Sequence, residues 1–377
     1  MTDGRPLLGA AIIVKNEAHH LRRCLPSLHG LCDEVVLVDT GSTDESVDVA
    51  LAHGATVLHR PWDNDFSAAR NRGLDHLRAR WVLYIDADEE VQPCDVTAVR
   101  RAIDDSQGVA GYMVKFAARV GWTPYWEYRI WRHRDDVRFR GRIHETVVPD
   151  LRRLVRDEGQ RFERIDVFFQ HYGYEGDQTA KHHRNLPMLL EQIEISPRRV
   201  YLWNHLGRVY DGIGQPAAAE AAWQQGIDLV REHGLVEGVD MLVYGSMALH
   251  KLRLGEDITD LVEEGFALDP KYYTLHLANA RRLMLLNDQE AAEATLRMLI
   301  EVGRSELDHP VLAFSREIFE RLPMEMLAEC LFEQGRYREA AASYEAAMAF
   351  GADPLAMRTK AIASRSMASD DETLSAK

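Results

Sequence analysis

Asp86 and Asp88, with Ala87 between them and Glu89-Glu90 behind, close the apolar run Trp81-Val82-Leu83-Tyr84-Ile85. In an extended chain alternate residues share a face, so both carboxylates project to one side, and Ala87 is too small to obstruct a ligand. Two carboxylates on one face suit a hard divalent cation, above all Mg²⁺, whose remaining positions go to substrate phosphates and water. A solvated acidic turn at the end of a strand explains these ten residues equally well. The upstream segments decide between the readings. Asp39 closes a second β-rich run, Glu34-Val35-Val36-Leu37-Val38-Asp39, and Lys15-Asn16-Glu17 follows a third at 8–14. Three carboxylates and a polar loop thus converge where open α/β sheets bind ligands, at the C-terminal ends of parallel strands. Asp39 can accept from a base N–H or a ribose hydroxyl, and a metal on Asp88 can neutralise a diphosphate that the bare acids would repel.

The elements that must position these groups follow from periodicity. Strand 8–14 leads through its loop to a helix marked by Leu21, Leu25 and Leu28. Strand 34–39 passes through the turn 40–44 into a helix at 47–53. A third strand at 55–59, a helix at 66–77 and the strand at 81–85 complete an alternation that predicts a mainly parallel sheet of βαβ units. Beyond Cys94 the pattern predicts a helix to Ile103, a strand at 111–117, and strand-like pieces at 128–131, 139–148 and 165–169. That half is expected to be mixed or antiparallel and to hold acceptor contacts. No GxGxxG follows the first strand and no GxxxxGK[ST] or HExxH occurs, so dinucleotide, P-loop and zinc-hydrolase chemistry are unsupported.

Four segments together carry a resemblance: Val14-Lys15-Asn16-Glu17, Val38-Asp39-Thr40-Gly41-Ser42-Thr43-Asp44, Phe66-Ser67-Ala68-Ala69-Arg70-Asn71 and Asp86-Ala87-Asp88-Glu89. In this order and spacing the chain resembles the family 2 inverting glycosyltransferases, whose α/β nucleotide-diphospho-sugar transferase (GT-A) domain would occupy residues 1–180. The resemblance implies Mg²⁺ or Mn²⁺ as cofactor and a nucleotide-sugar donor, UDP-glucose first among UDP-hexoses. It places Glu17 and Asp39 at the nucleotide, with Asp39 on the uracil or ribose, and Arg70 beside them. Asp88 would bind the cation directly, and Asp86 the ribose or a metal-bound water. Enzymes of this fold often add a late histidine, here His171, as a metal or phosphate contact; a packing histidine beside aromatics is the plainer reading. Lys181 and Arg184, with His182 and His183 between them, are placed to clamp a diphosphate, or simply to begin a solvated helix. Displacement at the anomeric carbon needs a base opposite the leaving group, and Glu145 in Gly141-Arg142-Ile143-His144-Glu145 is the candidate. An edge-strand charge paired with Arg142 or Arg140 fits that glutamate nearly as well. The QxxRW motif of processive synthases is missing, which favours transfer of one sugar.

From Lys181 onward strand signals fade. Leu206-Gly207, Tyr210, Gly214, Ala219 and Trp223 have the spacing of a helix-turn-helix repeat of about 34 residues, and Leu327-Ala328, Gly335, Ala340, Tyr344 and Ala347 repeat it. Residues 181–363 are therefore expected to form a tetratricopeptide-like array, followed by a disordered tail at 364–377. The branch of the family that joins such repeats to the transferase domain includes cytosolic bacterial enzymes that glycosylate ribosomal peptides on cysteine or serine, of the sublancin type, and sugar transferases of the lipopolysaccharide core. A peptide or protein acceptor held by the repeats is the first expectation. A glycan or glycolipid acceptor, or a repeat scaffold with an inactive transferase domain, is the alternative. Trp122, Tyr125, Trp126 and Tyr128 form an aromatic cluster that would stack on a sugar, grip a peptide or pack in a core.

The bulk properties agree. A chain of 377 residues exceeds one typical core, and a net charge of −15 argues against a nucleic-acid partner. Cys24, Cys32, Cys94 and Cys330 show no CxxC or zinc spacing, as expected of reduced thiols in a cytoplasmic protein. No apolar run is long enough to span a bilayer, and homodimerisation through the repeats is a further expectation.

Overall fold

The computed structural model describes residues 4–173, 179–305, 307 and 309–375. Its contacts divide the chain into two units: 1–120 with 124–197 and 309–311, and 121–123 with 198–308 and 312–377. Tyr174, the end of the aromatic run after His171, and residues 376 and 377 of the expected tail lie outside the described residues.

The first unit runs β1 (Leu8–Val14), α1 (Ala18–Ser27), β2 (Glu34–Asp39), α2 (Ser46–Ala52), β3 (Thr56–His59), α3 (Phe66–Leu74), β4 (Trp81–Tyr84), β5 (Glu89–Val91), α4 (Val96–Asp104), β6 (Val109–Ala117), β7 (Tyr125–Arg132), α5 (Val148–Glu158), β8 (Arg161–His171) and α6 (Thr179–Ile195). The sheet order is β3-β2-β1-β4-β7-β6-β8-β5. The four strands from β3 to β4 are parallel. β7 then pairs antiparallel with both β4 and β6, β6 runs parallel to β8, and β5 closes the edge antiparallel to β8. The expected change from parallel to mixed sheet is thus observed, and it falls at the β4/β7 seam.

Strand alternation feeds two cores. Leu8, Ala10, Ile12 and Val14 pack with Leu21 and Leu25 of α1 and Val99 and Ile103 of α4. Ala11, Val82 and Trp131 pack on the other face with Leu74 of α3 and Leu151 and Leu154 of α5. The register sets Val14 opposite Asp39, and Asp39 opposite His59, so the strand ends that carry the expected site lie in line.

Two expectations fail locally. β4 stops at Tyr84, and 86–88 form a turn rather than continued strand. The cause is Glu89, whose carboxylate accepts from the Asp86 N–H (2.9 Å) while its own N–H donates to the Asp86 carbonyl (3.1 Å). Residues 139–148 are not a strand. Only a bridge between Arg140 and Thr146 forms there, because Gly141 (φ 101°) and His144 (φ 53°) turn the backbone left-handed. Pro149 then opens α5, which the periodicity reading overlooked and which Gly159 (φ 64°) ends in the left-handed conformation.

The second unit is helical: α7 (Val200–Gly212), α8 (Pro216–His233), α9 (Leu242–Leu254), α10 (Thr259–Leu268), α11 (Tyr273–Leu285), α12 (Gln289–Arg304), α13 (Arg321–Glu333), α14 (Tyr337–Met348) and α15 (Pro354–Ser375), with 3₁₀ turns at Gly238–Met241 and Arg316–Ile318. Both repeat motifs form helix pairs. Gly207 of α7 lies so close to Trp223 of α8 that a Cβ there would stand 2.3 Å from the indole nitrogen, which donates to the Asn204 carbonyl (3.2 Å). Ala328, Ala340 and Ala347 are fully buried at the second pair. The stretch expected to fray from Ser364 instead continues α15, and Ser364 is buried with its hydroxyl donating to the Lys360 carbonyl (2.8 Å).

Candidate active site

A hollow of about 690 Å³ opens at the C-terminal ends of β1, β2 and β4. Seven of the nine expected site residues line it: Glu17, Arg70, Asp86, Asp88, His171, Lys181 and Arg184. Asp39 and Glu145 are not on its wall, although Thr40 and Arg70, which adjoin them, are.

The lip after β1 is stitched to the β2–α2 turn. Asn16 adopts the left-handed conformation (φ 57°) that asparagine tolerates. Its N–H donates to Ser42 Oγ (2.9 Å) and its side-chain oxygen accepts from the Thr43 N–H (2.7 Å). The Glu17 N–H donates to Ser46 Oγ (2.8 Å) and the Ala18 N–H to Asp44 (3.1 Å). Asp39 is buried beneath this turn and accepts from the N–H groups of Ser42 (3.0 Å) and Gly41 (3.3 Å), with His59 Nδ1 at 3.3 Å. Burial alone would raise its pKa; the hydrogen bonds from Ser42, His59 and Gly41 prevail and hold it below the usual carboxylate range.

Arg70 projects from α3, which Asp65 caps by accepting from the Ala68 N–H (2.8 Å). Its guanidinium, 7% exposed, stands 2.8 Å from Asp86 Oδ1 and donates through Nε to Glu145 Oε1 (2.5 Å). Glu145 is therefore a buried counter-ion of Arg70, not the partner of Arg140 or Arg142. Burial raises its pKa despite the neighbouring Arg70. A second buried arginine, Arg129 of β7, grips both oxygens of Glu89 at 2.9 Å. The Tyr84 ring lies 4.4 Å from the Arg70 guanidinium and 4.3 Å from that of Arg129, and its hydroxyl donates to Asp86 (3.3 Å). The acidic turn is thus clamped from beneath by two cations and a phenol. Glu89 itself is pushed up to about 7 by burial, with Arg129 opposing. The sequence reading assigned Arg129, Glu89 and Tyr84 no role. A charged side chain between Tyr128 and Ile130 inside a strand, with Glu127 two residues before it, was the signal that could have found them.

On the other side, His171 at the end of β8 places Nε2 3.1 Å from Asp88 Oδ2 and Nδ1 3.0 Å from the Ala118 carbonyl. Burial lowers the His171 pKa, but Asp88 outweighs it and the net shift is upward. Gly173 leaves room for this pair, since a Cβ there would come within 1.7 Å of Asp88 Oδ2. A carboxylate oxygen beside an imidazole nitrogen suits Mn²⁺ better than Mg²⁺, which takes oxygen ligands, with phosphate oxygens and water completing the shell of either. Asp86 is committed to Arg70 instead. Among the described residues no group of three His, Cys, Asp or Glu side chains gathers as a ready-made cage. Lys181 and Arg184 of α6 line the same hollow, and burial lowers the pKa of each.

Residues 10–191 match the family described as Glycosyl transferase family 2. The first unit carries a family 2 glycosyltransferase domain of the GT-A class, and a tetratricopeptide-like helical array follows it. A TPR repeat-containing protein of Synechococcus elongatus is 34% identical over 235 residues, 58% of each chain. The SPbeta prophage-derived glycosyltransferase SunS of Bacillus subtilis is 26% identical over 207 residues, 51% of this chain and 46% of that protein. The chain thus spans about half the length of the curated relatives it matches. Among solved structures, glucosyl-3-phosphoglycerate synthase from Mycobacterium tuberculosis with Mn²⁺ and UDP-glucose aligns over 49% of this chain and 77% of its own, at 17% identity and a TM-score of 0.38. No helix among the described residues is long and apolar enough to cross a membrane.

Proposed function

We propose that the first unit binds a nucleotide-diphospho-sugar, a UDP-hexose, with Mg²⁺ or Mn²⁺, and transfers the hexose with inversion to a peptide or protein side chain. The observation that carries this reading is the Asp88–His171 pair, 3.1 Å apart in a hollow that Lys181 and Arg184 also line. Bound there, the cation would neutralise the diphosphate and improve it as a leaving group. Asp88 and His171 would hold it. Lys181 and Arg184 add positive charge for the departing UDP, and Arg70 orients Asp86 toward the nucleotide.

Glu145 is the proposed base, although it stands behind Arg70 rather than on the wall of the hollow and must exchange Arg70 for the acceptor in order to act. It must take the acceptor proton as the new bond forms, and burial brings its proton affinity nearer neutrality than that of an exposed glutamate. Arg70 fixes its carboxylate until the acceptor arrives. The family match over 10–191 supports the reaction class, and the helical unit is a natural surface for the acceptor.

The test is sugar transfer and donor hydrolysis assayed on a panel of nucleotide sugars with Mn²⁺. EDTA and Asp88→Ala should each abolish turnover, and Glu145→Gln should cut transfer roughly 10²- to 10⁴-fold while leaving UDP binding intact. A folded protein that turns over no sugar nucleotide would point to a scaffold instead.

A further inference from the structure

One side of the hollow carries an aromatic pair, Trp62 outside the quoted motifs and Phe66 at the start of one of them, to which the proposed chemistry gives no role. Trp62 and Phe66 line the hollow beside Thr40, their rings 4.6 Å apart and edge-to-face at 66°. Trp62 sits in a loop of only six residues between β3 and α3, and several side chains of that loop bond within it or to its borders. Arg60 donates its N–H to the Asp39 carbonyl (2.9 Å) and grips Asp63 with both terminal nitrogens (2.6 and 2.7 Å). Asn64, left-handed at φ 61°, accepts from Trp62 Nε1 at 3.0 Å. Asp65 caps α3, and the Phe66 N–H donates to the Arg142 carbonyl (3.0 Å). The indole is therefore positioned in advance, with its one polar atom satisfied inside the loop, and what it offers the hollow is an apolar ring.

We propose that Trp62 is the stacking platform for the nucleobase of the donor, with Phe66 fixing its tilt, and that it supplies the affinity by which a nucleoside diphosphate is preferred over a bare diphosphate. The proposal rests on the nucleotide-sugar reading above. Three features support it. Arg60 links the loop directly to the carbonyl of Asp39, the residue expected at the base or ribose. The loop after β1, the other side of that region, offers Lys15, Asn16 and Glu17 and no ring. A rigid indole also loses little entropy on stacking, whereas a mobile one would forfeit part of the gain.

The experiment is calorimetric titration of the full chain with Mn²⁺ present. The ligands are UDP, dTDP, GDP and ADP, with inorganic pyrophosphate beside them. The wild type should bind at least one nucleoside diphosphate more tightly than pyrophosphate. Trp62→Ala should weaken the tightest of them by roughly 5- to 100-fold, the range that base–aromatic stacking supports, and leave pyrophosphate within about twofold. Trp62→Phe should recover most of the loss. Quenching of tryptophan fluorescence by the nucleotide should vanish in Trp62→Phe, a readout that does not depend on Trp62→Ala folding well. Unchanged nucleotide affinity in a folded Trp62→Ala, or equal weakening of nucleotide and pyrophosphate, overturns the platform alone. Failure of the wild type to bind any of the four nucleotides overturns the donor reading as well.

Discussion

At the scale of single residues, the site depends on atoms that lie just outside the expected motif. Gly173 is required because any side chain there would collide with Asp88 Oδ2. Gly173→Ala should weaken Mn²⁺ binding about 10- to 100-fold without lowering the melting temperature by more than a degree or two, as read by titration calorimetry and thermal melts. Arg129 is required for another reason: without it Glu89 is a buried carboxylate with no cation. Removal of one partner of a buried ion pair costs about 3–5 kcal/mol, so Arg129→Met should unfold at much lower urea concentration. The sign with pH follows from Glu89, whose folded pKa already lies above its ordinary value and would rise further in the variant. A raised carboxyl pKa costs stability as pH climbs toward it, so the variant's deficit should be larger at pH 8 than at pH 5. The motif Asp86-Ala87-Asp88-Glu89 was legible in the sequence. The division of labour within it was not, because which acid faces Arg70, which faces His171 and which faces Arg129 depends on packing against the helix α3 that precedes the motif and against the distant strands β7 and β8.

At the scale of elements, the alternation of strand and helix through β4 was legible because each parallel strand is an apolar run bounded by turn residues. The stretch 139–158 misled because an irregular segment of mixed polarity resembles a poor strand, and α5 shows only two fully buried leucines, Leu151 and Leu154, to a periodicity count. Even the start of β1 is fixed from a distance. Asp33 accepts from the N–H groups of Leu7 (2.7 Å) and Leu8 (3.1 Å) and pairs with Arg100 of α4 (2.8 Å). Burial would raise its pKa, but these bonds win and the net shift is downward. A lowered carboxyl pKa contributes stability above the ordinary carboxylate range and loses it as pH falls through the folded value. Asp33→Asn should therefore cost about 1 kcal/mol at pH 7, after allowance for partial exposure. Thermal melts at pH 7 and pH 3 should show the gap to wild type closing at the acid end.

At the scale of the whole molecule, the charge of −15 gave no hint that the hollow is lined by Lys15, Arg70, Lys181 and Arg184. Net charge reports on long-range partners, while a phosphate site needs only local cations. The helical array was legible for a different reason. Repeats leave small residues where helices touch, and Gly207, Ala219, Ala328 and Ala340 mark those contacts in the sequence. Gly207→Ala would drive a methyl into Trp223 and should cost roughly 1–3 kcal/mol by overpacking, seen as faster amide exchange along α7 and α8.

The imidazole of His171 stands between two acceptors, the Ala118 carbonyl and the Asp88 carboxylate. To satisfy both it must carry two protons, and a cation on Nε2 must evict one of them. Uptake of the cation proposed for this site would then also be an acid-release event. The apparent heat of Mn²⁺ uptake should scale with the ionisation enthalpy of whichever buffer absorbs that proton, and in His171→Ala this dependence should disappear.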